Sequence, residues 1–202
     1  ALAQSDLKRL VAYSSVSHMG FVTLGIFSFN NEGLEGAILQ MMTHGLTTGA
    51  MFLIVGQLYD RTHSREIGDY GGLYKRMPRF VAVLSLFAVA SFGLPATSNF
   101  IGEFLILVGV SYENFVFVVL AMGGIVLGAA YMLWMLQRVA LGQARTEAAR
   151  NLTDLDLREV LTLAPLVVAV LGIGLYPGPL LEAMDASVTY VVERVASVQV
   201  MP

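Results

Sequence analysis

The segment of residues 80–110 constrains the fold more than any other feature, because its 31 residues contain a single ionisable side chain, Glu103. A straight helix of that length would measure about 46 Å at ~1.5 Å per residue, well beyond the ~30 Å hydrocarbon core of a bilayer. The segment must therefore tilt strongly or break. Pro95 predicts a break, because proline lacks an N–H and clashes with the preceding turn.

A carboxylate inside so apolar a segment is predicted to be functional. If it faced lipid it would cost roughly 2.5–3.5 kcal/mol or more. Unwound backbone at membrane depth survives only where protein or a water-filled cavity covers it. Glu103 is therefore predicted to face an internal hydrated space. The alternative is a plain proline kink with Glu103 near the membrane surface, where its side chain reaches water.

Composition indicates a polytopic membrane protein. Hydrophobic residues make up 56% of the chain and charged residues 13%, about half of the ~25% usual in soluble domains. The predicted fold class is all-α, with five transmembrane helices, the third broken at Pro95, and a C-terminal amphipathic helix. The first helix is the weakest, because three serines and His18 dilute its hydropathy. The five apolar windows are residues 10–31, 36–59, 80–110, 115–137 and 160–181.

The basic residues predict an orientation. With five spans, eleven of the twelve Lys and Arg residues lie on one side of the membrane and only Arg194 lies on the other. The positive-inside bias then places the N-terminus on the cytoplasmic side and the C-terminus on the far side. The chain has no cysteine, which excludes thiolate iron–sulfur ligation and disulfides within it. The eleven are Lys8, Arg9, Arg61, Arg65, Lys75, Arg76, Arg79, Arg138, Arg145, Arg150 and Arg158.

The chain divides into a transmembrane bundle, residues 1–179, and an amphipathic segment, residues 180–202, predicted to lie at the membrane surface or against a partner. Because it opens at Ala1 without an initiator methionine, we expect it to be the C-terminal piece of a longer protein. The Asn151-Leu152-Thr153 sequon is interpreted as the approach to the fifth helix, capped by Thr153 or Asp154. Gly45-x-x-x-Gly49 and Gly124-x-x-x-Gly128 predict close helix packing.

Two histidines, His18 and His44, lie near mid-depth on the first two predicted helices. Gln40, Thr47 and Thr48 flank His44 at helical spacing, which predicts one polar stripe able to hold a chain of waters. Imidazole titrates near neutrality and suits a proton relay. The alternatives are core histidines hydrogen-bonded across helices, worth about 0.6 kcal/mol, or a pair of haem ligands.

Four stretches of the chain resemble a known family. They read SDLKRLVAYSSVSHMG at residues 5–20, MTHGL at 42–46, YDRTHSR at 59–65 and LPATSNFIGEF at 94–104. Together they resemble the antiporter-like chain M family of respiratory complex I, the NADH-quinone oxidoreductase, called chain 4 in mitochondria. The five spans then resemble helices ten to fourteen of a fourteen-helix subunit, with residues 80–110 as the broken helix twelve.

The resemblance implies a proton-path role for Glu103, His44, His18 and Lys8. Glu103 matches the terminal acid of a row of charged residues, and the two histidines match residues that line the route. Lys8 matches a basic residue at the start of helix ten. The supporting residues predicted here are Pro95, Gln40, Thr47 and Thr48, and no metal site is predicted.

The resemblance also implies a non-redox, proton-translocating subunit with no cofactor of its own. NADH, FMN, iron–sulfur clusters and quinone would be bound by other subunits. The expected partners are the other membrane-arm subunits, the lipid bilayer and the upstream part of the same subunit, but no nucleic acid. The expected location is the bacterial or mitochondrial inner membrane, as a multi-pass protein.

Three alternatives remain open from the sequence. Subunits of sodium/proton antiporters and of membrane-bound hydrogenases share the fold, although the acid at Glu103, where chains L and N carry lysine, favours chain M. A passive scaffold is a further class, in which Glu103 only bonds a neighbouring helix. The chain contains no catalytic motif of an intramembrane enzyme.

Overall fold

The computed structural model describes residues 1–144, 146–150 and 152–199, and in these ranges the chain is helical without a β-strand. Arg145, Asn151 and the last three residues of the predicted segment 180–202 lie outside the described residues. Two short 3₁₀ turns, Ile67–Asp69 and Leu73–Lys75, lie between the second and third α-helices. The helices are α1 Leu7–Ile26, α2 Asn31–Thr62, α3 Pro78–Ser91, α4 Ser98–Glu113, α5 Phe115–Ala140, α6 Glu147–Arg150, α7 Leu157–Leu175 and α8 Gly178–Gln199.

The predicted five-span fold with a broken third segment is confirmed, with α3 and α4 together forming the third span. In the described part of the chain, α2, α5 and α7 are each long and apolar enough to cross a membrane alone. α3 is a shorter apolar helix of 14 residues. α1 is 20 residues long but is not among the three, as expected from its serines and His18.

The break covers residues 92–97. Gly93 and Ala96 have φ angles of +72° and +74°, which turn the backbone away from α3. The Thr97 hydroxyl donates to the Leu94 carbonyl at 2.6 Å, so one carbonyl freed by the break is bonded locally. Pro95 lies exposed in the middle of the break, and α3 stops at Ser91. The unwound segment then leads directly into α4, which carries Glu103.

α2 lies at the centre of the bundle and packs most extensively against α4 and then α1. A side chain added at Gly36 would lie 2.7 Å from the Ile106 nitrogen, and one added at Gly102 would lie 2.6 Å from the Gln40 Oε1 atom. Glycines thus bring α2 and α4 close enough for their backbones to touch.

The close contact between α2 and α4 is made at Gly36 and Gly102, and not at the Gly45-x-x-x-Gly49 motif of α2. Gly45 and Gly49 have open space where a Cβ would be, so the close approach that this motif allows is not used within the described residues. On α5 the second motif does approach a neighbour, because a Cβ at Gly124 would lie 3.3 Å from the Phe21 ring. A glycine motif alone does not tell which face of a helix a neighbour will cover.

The ends of α7 differ from the sequence prediction. Asp156, and not Thr153 or Asp154, caps α7, where it forms a capping box with Glu159. The helix ends at Leu175, before the predicted 181, because Pro177 follows and cannot continue it. α8 then begins at Gly178 and packs against the start of α2, and the Asn31 amide donates to the Thr189 hydroxyl at 3.2 Å.

Candidate functional site

Glu103 lies inside the bundle, where α1, α2 and α4 meet. Only 3% of the Glu103 surface is exposed to solvent. His18 of α1 places its Nδ1 atom 3.2 Å from the Glu103 Oε1 atom, and the Gln40 amide of α2 donates to the same oxygen at 3.3 Å. The carboxylate is therefore held by one imidazole and one amide from two neighbouring helices.

His44 is linked to Glu103 through His18, whose ring lies next to its own. The two imidazole rings lie with centroids 5.1 Å apart and planes tilted by 39°. His44 Nε2 lies 3.0 Å from the Ser15 hydroxyl and 3.1 Å from the Thr48 hydroxyl. The order of groups is thus Glu103, His18, His44 and then two hydroxyls.

The polar stripe predicted on α2 is divided between two neighbours. Gln40 and Thr47 face α4, where Thr47 and the Asn99 side chain exchange hydrogen bonds at 3.3 and 3.4 Å. His44 and Thr48 instead face α1. Because consecutive residues are about 100° apart around a helix, Thr47 and Thr48 can point to different neighbours. The four residues are close in sequence but do not form one continuous line of contacts.

Lys8 lies apart from this cluster. It is exposed in the first turn of α1, ten residues before His18, which corresponds to about 15 Å along the helix. It lines an apolar groove of about 350 Å³ together with Phe52, Tyr59 and Arg65. The structure therefore does not bring Lys8 into contact with Glu103 or with either histidine among the described residues.

Beside the predicted His18 and Gln40, the surroundings of Glu103 include three polar residues that sequence reasoning did not assign to the site, Ser98, Asn99 and Tyr131. Four buried polar atoms of the described structure near this interface have no hydrogen-bond partner: His18 Nε2, Gln40 Oε1, Ser98 Oγ and the Tyr131 hydroxyl. Buried polar groups normally find a partner in protein or water, so the surroundings of Glu103 are polar. Asn99 carried a detectable signal, since it precedes Glu103 by four residues and so shares its helix face. Tyr131 had none, because it lies in an apolar run.

The other carboxylates with defined partners lie at helix ends. Glu159 forms two bonds of 2.6 Å with Arg61. The Asp154 carboxylate accepts the backbone N–H groups of Arg79 and Phe80, each at 3.0 Å, at the start of α3. Burial acts to raise the pKa of Asp154, but these hydrogen bonds, with one from Leu155 and the nearby Arg79 charge, lower it below the ordinary value of 3.8.

The geometry does not suit a haem between the two histidines. Their rings contact one another, which leaves no space between them for a porphyrin, and both use ring nitrogens for side-chain partners. Among the described residues, no group of three or more His, Cys, Asp or Glu could hold a metal ion. The arrangement instead places the Glu103 carboxylate within hydrogen-bond distance of the His18 imidazole, so these two groups can exchange a proton.

Comparison with known proteins gives a consistent result. Residues 1–128 match the family model described as "NADH:quinone oxidoreductase/Mrp antiporter, TM". Subunit M of NADH-quinone oxidoreductase from Rhodobacter capsulatus is 47% identical over 194 residues, which are 96% of this chain and 38% of that protein. Chain 4 of NADH-ubiquinone oxidoreductase from Marchantia polymorpha is 48% identical over 193 residues, or 96% and 39%. The chain thus spans about two fifths of the length of these curated relatives.

Solved structures show the same fold. A chain of respiratory complex I from Thermus thermophilus with bound NADH is 33% identical with a TM-score of 0.88, covering 95% of this chain and 40% of that one. A chain of the Mrp complex from Dietzia is 21% identical with a TM-score of 0.80, covering 98% and 45%, which shows likeness of fold alone. Both similar structures are multisubunit complexes, and the apolar helices place this chain in a membrane.

Proposed function

Because the chain belongs to the NADH:quinone oxidoreductase/Mrp antiporter transmembrane family, we propose that it forms part of a proton-translocating half-channel in the membrane arm of an NADH:quinone oxidoreductase. The single observation that carries the proposal is the buried contact between Glu103 and His18, continued by the ring of His44. The role is a non-redox one, in which this chain moves protons while electron transfer takes place in other subunits.

Glu103 is the site that binds and releases the proton, and the histidines relay it. The 3.2 Å separation of Glu103 Oε1 and His18 Nδ1 is short enough for direct transfer. His44 relays between His18 and the middle of the membrane, and its bonds to Ser15 and Thr48 hold its ring in place. Release from Glu103 is directed toward the far side of the membrane, opposite the side that carries most basic residues.

Electrostatic coupling supplies the driving force. Moving one proton against the membrane potential costs about 2.3 kcal/mol per 100 mV. A lysine that approaches a buried carboxylate favours its charged form and expels a proton, whereas withdrawal of the lysine lets burial favour the neutral form. Among the described residues the ion-pair partner of Glu103 is His18, so the lysine would come from the upstream part of the same subunit.

The chain acts as one subunit of a larger complex in an inner membrane. NADH, FMN, iron–sulfur clusters and quinone are bound by other subunits. The chain lies in a bacterial or mitochondrial inner membrane, with its N-terminal end on the cytoplasmic or matrix side. Its partners are the other membrane-arm subunits, the lipid bilayer and the upstream part of the same subunit.

A subunit of a sodium/proton antiporter is the second candidate, supported by the fold shared with the Mrp complex. It predicts that sodium ions compete with protons and that transport needs no NADH. The 47–48% identity to complex I subunits favours the first candidate. A sodium requirement for proton movement in vesicles would favour the antiporter.

The test replaces Glu103 with glutamine in the complete subunit of the intact complex. In membrane vesicles, Glu103→Gln is expected to abolish or greatly reduce proton translocation, because glutamine cannot bind and release a proton. Glu113→Gln is the matched control, since Glu113 lies exposed at the end of the same helix. The measurement is protons moved per NADH oxidised, normalised to assembled complex.

Two outcomes would contradict the proposal. Unaltered protons per NADH in Glu103→Gln would remove Glu103 from the path. Loss of assembly without any change in protons per NADH in the complex that does assemble would support the passive scaffold instead.

A further inference from the structure

One wall of the Glu103 site is the unwound segment itself, residues 92–97. A Cβ atom added at Gly93 would overlap the second carboxylate oxygen of Glu103, Oε2. Gly93 also has a φ of +72°, which disfavours any side chain at this position. The position of this segment therefore decides how much room the Glu103 carboxylate has and how it is aimed at His18.

The end of α7 touches the same segment from the outside. A Cβ added at Gly174 would lie 2.5 Å from the Ala96 carbonyl oxygen and 2.6 Å from the Thr97 Cα atom. Gly174 is buried by this contact. Gly172, one half-turn earlier on α7, has no atom within 4 Å of its Cβ position. The close contact is thus specific to one glycine of the helix.

The chain leading into α7 holds the other end of α3. Asp154 accepts the N–H groups of Arg79 and Phe80. Two residues into α7, Glu159 is bonded to Arg61 of α2, which fixes the start of α7 against the centre of the bundle. The segment before α7 therefore contacts the beginning of α3, and the end of α7 contacts the break that follows α3.

We propose that α7 is a positioning element for Glu103, in which Asp154 holds the start of α3 and Gly174 holds the unwound segment against the Glu103 carboxylate. A broken helix needs such support, because the i to i−4 hydrogen bonds that would fix one half relative to the other are missing across the break. α4 packs more extensively against α7 than against α3. The inference rests on the proposed function, since it assigns Gly174 a role in placing the proton-binding group.

The test compares Gly174→Ala with Gly172→Ala in the intact complex. The added methyl group at 174 displaces the segment at residues 96 and 97 and moves Gly93 relative to Glu103. A misplacement of 1 Å can cost ~10²-fold in a transfer step. Protons per NADH, measured per assembled complex, are expected to fall by most of the loss that Glu103→Gln causes. Gly172→Ala is expected to match the wild type.

A merely structural role would reduce the amount of complex but not the protons moved per NADH in each assembled one. If Gly174→Ala prevents assembly, the comparison is made in an Ala96→Gly background, where the segment has more backbone freedom to yield. The double variant is then expected to move fewer protons per NADH than Ala96→Gly alone.

The inference is overturned if Gly174→Ala, alone or in the Ala96→Gly background, moves as many protons per NADH as its reference. That result would leave the proposed function standing, provided that Glu103→Gln still lowers proton translocation. Unchanged translocation in Glu103→Gln would instead contradict the proposed function, whatever Gly174→Ala does.

Discussion

Glu103 and Glu159 are both held by a basic side chain, but in opposite ways. Glu159 makes two bonds of 2.6 Å to the Arg61 guanidinium, and the two side chains are 15% and 17% exposed. Glu103 contacts an imidazole and an amide in the buried interior. Arginine stays charged in proteins, so Glu159 has a permanent counter-charge. Glu103 instead contacts an imidazole, a group that can be either neutral or charged.

Under the proposed function, the difference is one between a structural carboxylate and a proton-binding one. A permanent ion pair at a helix end fixes two helices and gains little from losing a proton. A carboxylate that contacts an imidazole can exchange a proton with it. Two such neighbouring groups can therefore form one step of a proton-transfer path. The following substitutions test this distinction, beginning with the one expected to change most.

His18→Gln should lower the rate of proton translocation by about 10²-fold, within the range found for removing a group that transfers a proton. Glutamine can still hydrogen-bond Glu103 but does not titrate. His44→Gln should have a smaller effect, because His44 contacts Glu103 only through His18. The measurement is proton uptake by vesicles on addition of NADH. Equal effects of the two variants would argue against a route ordered through His18.

Gly93→Ala should lower both stability and proton translocation. The left-handed backbone at residue 93 costs a non-glycine residue about 1–2 kcal/mol, and the new methyl group overlaps Glu103 Oε2. Gly172→Ala is the control, because a Cβ atom at Gly172 meets no atom within 4 Å. The control should keep wild-type translocation. The midpoint of thermal unfolding and protons per NADH are measured together, and an unaffected Gly93→Ala would show that Glu103 tolerates displacement.

Glu159→Gln should destabilise the subunit and leave protons per NADH in each assembled complex near the wild-type value, because the Asp156 cap and the Gly174 contact still hold α7. The pair is partly exposed, so the expected loss is about 1–2 kcal/mol, between the values for surface and buried pairs. Thermal unfolding of the purified complex and vesicle proton uptake distinguish the two effects. A fall in protons per NADH in Glu159→Gln would contradict the distinction drawn between Glu159 and Glu103.

Asp154→Asn should give the smallest change and a pH-dependent one. Backbone hydrogen bonds lower the pKa of Asp154, so its stabilising contribution is present above the ordinary value of 3.8 and is lost as the pH falls through the lowered pKa. The difference in thermal midpoint between wild type and Asp154→Asn should therefore narrow at acid pH. Asp60→Asn, at an exposed position, serves as the control. If the difference in thermal midpoint stayed constant with pH, the charge of Asp154 would not contribute to stability.

Local sequence rules predicted the elements of this protein well. Apolar windows located the spans, and Pro95 with Gly93 located the break, because these signals depend on residues adjacent in the chain. The end of the fifth span was placed six residues too late, since hydropathy does not register Pro177. The cap of α7 was assigned to Thr153 or Asp154, because a sequence does not reveal that Asp154 bonds the start of a different helix.

Relations between helices could not be predicted in the same way. The sequence placed His44 in a stripe with Gln40, and the structure divides that stripe between α1 and α4. It placed Lys8 on the proton path, and the structure leaves Lys8 about 15 Å from His18 along α1. The roles of these residues in proton transfer stay predictions that the experiments above address.

Sequence by itself determined that this chain spans a membrane and that one acid, Glu103, follows a break in its third span, because the cost of charge and of proline in an apolar helix is local. Only the tertiary structure decided that His18 and Gln40 share one oxygen of Glu103, and that α7 contacts the break. Those contacts depend on how helices distant in the chain pack, which is set by glycine contacts such as Gly36 with Gly102 and not by any single segment.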